Sequence, residues 1–140
     1  MSQKNAEGAN PTQTALFAES ALRTISLEQA AVAELATRID GAFEQACQLL
    51  MDCSARIVLV GMGKSGHIAN KIAATLASTG TPAFFVHAGE ASHGDMGMIT
   101  AQDVVIALSY SGTTREIVTL LPMLKRLGTP LITMTGAVDS

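Results

Sequence analysis

Four short apolar runs, separated by stretches of helical pattern, constrain the fold of this chain more than any other feature. They are Arg56-Ile57-Val58-Leu59-Val60, Pro82-Ala83-Phe84-Phe85-Val86, Val104-Val105-Ile106-Ala107-Leu108 and Leu131-Ile132-Thr133-Met134-Thr135. The first and third show no polar alternation, as expected of strands buried on both faces. Ser65 to Ser78 repeats Ile68, Ile72 and Leu76 along one helical face, and Thr114 to Leu127 turns Ile117, Leu120, Leu121 and Leu124 inward. Pro122 either kinks the second helix or is tolerated near its first turns. Gly80-Thr81 and Gly128-Thr129-Pro130 stop the two helices, and His87 to Gly97 reads as a loop. Apolar residues make up 48% of the chain, yet aromatics only 4%, with no Trp. The core must be aliphatic, which suits helices packed closely on a parallel sheet.

Upstream, Leu22, Ile25, Val32, Leu35, Ile39, Phe43, Cys47 and Leu50 recur at threes and fours. They predict one long amphipathic helix, or two broken near Asp40-Gly41 with Asp40 capping the second. The stripe reads as core-facing, with a subunit seam as the alternative. Residues 1–12 are rich in Ser, Gln, Asn and Gly and read as a disordered tail. Cys47 and Cys53 lie six apart, which suits neither a zinc knuckle nor a redox pair, so they read as reduced packing thiols. The net charge of −3 comes with no basic stripe or aromatic ladder, which argues against nucleic acid. There is no apolar signal core and no run long enough to span a bilayer, so no membrane partner is expected and the cytoplasm is the default location.

Two turns carry the chemistry. Ser109-Tyr110-Ser111-Gly112-Thr113-Thr114-Arg115-Glu116 follows the third apolar run, and its hydroxyls gather around one glycine where a helix starts. One hydroxyl suffices for a helix cap. Ser109, Ser111, Thr113 and Thr114 exceed that need, and with backbone N–H groups they form a phosphate-binding pattern. Gly61-Met62-Gly63-Lys64-Ser65-Gly66 follows the first run and fits GxGxxG. Dinucleotide binding is its rival reading, but Glu90, the one acid near the end of strand two, lies beyond the strand tip. The Walker A spacing is absent. Lys64 at a helix N-terminus is electrostatically unfavourable unless an anion sits there. Glu116 either stabilises the helix dipole or serves as a general base; sequence physics leaves both open. His87, Glu90, His93 and Asp95 share one loop and read as a polar rim to the site rather than as a metal centre.

These residues resemble the SIS (sugar isomerase) domain, from the long N-terminal helix to the chain end. Gly61 to Ile68, Lys71 to Pro82 and Glu90 to Met98 are similar to the D-arabinose 5-phosphate isomerases within that superfamily. The resemblance implies a three-layer α/β sandwich with a parallel, flavodoxin-like sheet and a central first strand. It implies an SIS domain over 13–140, ending before the last strand, before the family's remaining catalytic Glu and His, and before a pair of CBS domains. The implied activity is interconversion of D-ribulose 5-phosphate and D-arabinose 5-phosphate, the entry to Kdo and lipopolysaccharide synthesis, by a homotetramer without a cofactor or a metal. A non-catalytic sugar-phosphate-binding module is the alternative. By the same resemblance, Lys64 and Glu116 are the catalytic residues. Gly63, Ser65, Ser109, Ser111, Gly112, Thr113 and Thr114 hold the sugar phosphate. Position 110 is usually Asn in this family and position 113 often Glu; here they are Tyr and Thr.

Overall fold

The computed structural model describes residues 11–91 and 94–137, with side chains from position 15. The chain divides into two compact units, one ending at Glu44 and one beginning at Gln45. Most of the tail expected over 1–12 lies outside the described residues. Pro11 and Thr12, however, open helix α1 (Pro11–Leu35). Proline suits that first turn, because its missing N–H would have no partner there anyway.

The choice between one helix and two is decided at Asp40. After α1 a short 3₁₀ turn covers Ala36–Arg38, Ile39 becomes extended, and α2 runs Gly41–Met51. The Asp40 carboxylate accepts the N–H groups of Ala42 (3.0 Å) and Phe43 (3.1 Å), capping α2 as its position predicts. The core-facing role expected of the upstream stripe is met at its end, where half-buried Leu50 packs against the core, but not along α1. Leu22, Ile25, Val32, Leu35, Ile39 and Phe43 are all exposed. At about 100° per residue, the apolar positions of α1 wind around much of the helix instead of forming one narrow face.

The second unit is built on strands β1 (Ile57–Gly61), β2 (Ala83–His87), β3 (Val104–Leu108) and β4 (Leu131–Met134). They lie in the order β2-β1-β3-β4, all parallel. The three-layer α/β arrangement and flavodoxin-like order are therefore as expected. Helix α3 (Gly63–Ser78) covers one face, where Ala69 and Ala73 meet Ile57, Leu59, Ile106 and Leu108. Helix α5 (Arg115–Leu127) covers the other, where Ile117, Leu120 and Leu124 meet Val58, Val60, Val105 and Ala107. Alternate residues of each strand thus serve opposite layers. Pro122 sits exposed inside α5 without ending it, and Gly128 closes the helix with its N–H on Leu124 O (3.0 Å). The segment expected as a loop from His87 to Gly97 instead holds a short helix, α4 (Ala88–Ala91), and a 3₁₀ turn at Asp95–Met98. Its buried Ala88, Ala91 and Met96 add to the core on the α5 side, a packing role that its glycines conceal.

At the amino ends of β1 and β3, Asp103 is fully buried, a feature the sequence reading did not single out. Its carboxylate accepts from the backbone N–H and Nε of Arg56 (both 3.1 Å), from Arg56 Nη2 (2.8 Å), and from the N–H and hydroxyl of Thr100 (2.7 and 3.0 Å). The Arg56 guanidinium also stacks on Phe84, 5.0 Å from the ring centroid. Burial pushes the Asp103 carboxyl up, but the Arg56 and Thr100 hydrogen bonds outweigh it and hold the group below its ordinary value. The unfolded chain therefore binds the proton first, so this stabilisation is present above about pH 4 and is lost as the pH falls further. Asp103→Asn is expected to cost about 1.5–3 kcal/mol at neutral pH, the worth of a charged hydrogen bond. The low end is expected, because water shares the half-exposed Arg56 charge. Urea unfolding at pH 7 and pH 3 checks this: the gap between wild type and variant should narrow at the lower pH.

Candidate functional site

Parallel register brings His87, Gly61, Leu108 and Met134 into one row across the carboxyl edge of the sheet. The strand order reverses between β1 and β3, so their carboxyl-end turns leave toward opposite faces. A crevice opens at such a switch point. Both motif-bearing turns border it.

The β1 turn is set by close backbone contact. A Cβ on Gly61 would stand 2.9 Å from Gly66 N and 3.0 Å from Gly66 Cα, so only a glycine lets α3 start this near the strand. Gly63 takes φ +51°, in the left-handed region, which turns the chain into the helix. Met62 precedes α3 in extended form and makes no side-chain cap. The first N–H groups of α3 are thus left to backbone, water or ligand. Lys64 is exposed and Ser65 half-buried in this first turn.

The β3 turn is held by its own hydroxyls. Ser109 Oγ and Thr114 Oγ1 are 2.8 Å apart across the loop. Ser111 Oγ accepts the Thr113 N–H and hydroxyl, both at 3.3 Å. Gly112 adopts φ +70° and donates its N–H to Ser109 O (3.1 Å). Thr114 occupies the cap position of α5 but makes no side-chain cap there, because its hydroxyl is turned to Ser109. Glu116 is half-buried in the first turn of α5.

An open cleft of about 400 Å³ joins the two turns. Lys64 and Ser65 line it from the β1 side, Leu108, Ser109 and Tyr110 from β3, and Met134, Thr135 and Gly136 from β4. Lys64, Ser65 and Ser109 are therefore brought together. Gly112 instead lines a smaller cavity of about 150 Å³ against Ile117 and Thr133, which Ser109 and Thr135 also border. Gly63, Ser111, Thr113, Thr114 and Glu116 are not among the residues lining the 400 Å³ cleft. Nor are His87, exposed with its ring edge-on to Phe85 at 6.4 Å, and Glu90, exposed on α4. His93 lies outside the described residues. The β4 contribution was missed from sequence; its one signal is Gly136, the first residue of a turn after an apolar strand. Among the described residues, no three His, Cys, Asp or Glu side chains cluster as metal ligands, and no helix is long and apolar enough to cross a membrane.

Comparison with known proteins bears on this geometry. The SIS domain family model matches residues 49–140. Arabinose 5-phosphate isomerase KdsD of Pseudomonas aeruginosa is 63% identical over 131 residues, spanning 94% of this chain and 40% of that protein. The Escherichia coli protein of the same name is 52% identical over 124 residues, spanning 89% of this chain and 38% of its own length. This chain thus covers well under half of these curated relatives. Among solved structures, an Escherichia coli protein in complex with arabinose 5-phosphate superposes with a TM-score of 0.79 at 43% identity, covering 94% of this chain and 69% of that one. A solved structure from Listeria monocytogenes matches with a TM-score of 0.76 at 27% identity, covering 95% of this chain and 69% of that one. With a doubly wound sheet, two glycine turns at its switch point and a family match over most of the second unit, this chain belongs to the SIS-domain family.

Proposed function

We infer that this chain binds a pentose 5-phosphate and takes part in interconverting D-ribulose 5-phosphate and D-arabinose 5-phosphate. One observation carries the reading. The N-termini of α3 and α5 flank adjacent strands, neither is capped by a side chain, and the cleft that joins their turns includes Lys64. Helix N-termini attract anions, and a lysine placed there calls for a negative partner. The identity to the two named isomerases supports the choice of sugar.

In this reading Ser109, Ser111, Gly112, Thr113 and Thr114, with Gly63 and Ser65, anchor the phosphate. Glu116 takes a proton from C1 of the ketose, and the released electron pair forms the C1–C2 double bond while charge gathers on O2. Lys64 stabilises that oxyanion. Return of the proton to C2, with the O1 hydroxyl proton passing to O2, yields the aldose; no redox step occurs. The wider role is the supply of the Kdo precursor for lipopolysaccharide by a cytoplasmic homotetramer. The exposed apolar residues of α1 support subunit association.

A second reading has an observation of its own. Glu116 does not line the cleft that holds Lys64, which favours a sugar-phosphate-binding module without turnover. Isomer exchange followed by NMR, alongside binding by calorimetry, separates the two: exchange supports the isomerase, and binding without exchange supports the module. Ser111→Ala is expected to weaken binding of either pentose 5-phosphate by about 1.5–3 kcal/mol, the worth of a hydrogen bond to a charged group. Unchanged calorimetric affinity would remove Ser111 from the phosphate site.

A further inference from the structure

Tyr110 lies in the middle of the hydroxyl loop, yet 85% of it is exposed, so core packing does not account for an aromatic ring there. Two features tie it to the cleft. Its carbonyl accepts the Gly136 N–H at 2.9 Å and the Thr135 hydroxyl at 3.4 Å. Its ring edge fills the space that a Cβ on Gly136 would need, 2.9 Å from Cε2 and 3.1 Å from Cδ2. The ring is therefore braced against the β4 turn, across β3 from the turn that carries Lys64. We propose that Tyr110 is a specificity-determining residue: its ring walls the β4 side of the cleft and limits the length of sugar phosphate that fits between loop and Lys64.

This deepens the reading of the cleft as a phosphosugar site and rests on it. With the phosphate on the hydroxyl loop and the carbonyl end at Lys64, both ends of the substrate are fixed. An added carbon must then bulge sideways, and on the β4 side it meets the Tyr110 ring. Discrimination of one carbon unit by such a wall is worth about 10–200-fold.

The test uses calorimetry on the whole chain with D-arabinose 5-phosphate, D-glucose 6-phosphate and inorganic phosphate. Wild type is expected to prefer the five-carbon compound. Tyr110→Ala should shrink that preference about tenfold, at the low end for one carbon unit, without changing the affinity for inorganic phosphate. Tyr110→Phe, which keeps the ring, should retain the wild-type preference. An unchanged preference in Tyr110→Ala overturns the wall, as does a Phe variant that behaves like Ala. If wild type binds neither sugar phosphate nor inorganic phosphate, the phosphosugar reading fails and the wall with it. Five-carbon binding with an unmoved ratio leaves that reading standing and removes the wall alone.

Discussion

In Glu116→Gln, exchange between D-ribulose 5-phosphate and D-arabinose 5-phosphate is expected to fall by about 10²–10⁴-fold, the usual worth of a positioned general base. Affinity for either sugar phosphate should stay at the wild-type value. The amide keeps the size of the carboxylate and its place in the first turn of α5. It cannot accept the C1 proton. The measurement is deuterium wash-in at C1 and C2 by NMR, paired with calorimetry on the same samples. Retained exchange would remove Glu116 as the base. Lost exchange together with lost binding would instead show that Glu116 supports the loop, since a first-turn carboxylate also steadies a helix through its dipole.

Gly61→Ala is expected to be the most damaging single methyl in the chain. The new Cβ would stand 2.9 Å from Gly66 N and 3.0 Å from both Gly66 Cα and Ser65 C. All three are backbone atoms, so no side chain can swing aside. Overpacking of this kind costs about 1–3 kcal/mol, relieved only by lifting the start of α3 off β1. Lys64 and Ser65 ride on that turn and should be displaced with it. Urea denaturation should therefore show lower stability, and pentose phosphate binding should weaken in the fraction that remains folded. Wild-type stability and affinity together would overturn the account of this turn. Gly63→Ala provides a contrast. A Cβ there meets nothing within 4 Å, and its cost is confined to the positive φ of that residue.

Much of this fold was legible in the sequence because strands buried on both faces leave a plain record. Val58, Leu59 and Val60 cannot be exposed on either side, and the glycines after them mark where the strand must end. Strand order rested on the resemblance to the SIS family, because the spacing of the runs does not rank them across a sheet. The α1 stripe misled because spacing at threes and fours reports helix but does not name the surface that buries it. Asp103 escaped notice for a different reason. An acid in a turn before a strand looks solvated until Arg56 and Thr100, distant or unremarkable in sequence, are seen to surround it. At the site, local spacing identified both turns. It could not show that Ser109 and Thr114 bond to each other, that Glu116 stands off the Lys64 cleft, or that the β4 turn lends a third side. Those depend on how separate βα units sit side by side, which no short motif encodes.

The reversal of strand order between β1 and β3 has a mechanical consequence. Helices α3 and α5 rise from neighbouring strands but clothe opposite sides of the sheet. An anion gripped by both would act as a clasp between the two outer layers, fastened at one rim only. The Arg56–Asp103 pair ties the amino ends of β1 and β3 at the far rim. Ligand occupancy and the cohesion of the whole sandwich are then a single quantity seen from two ends.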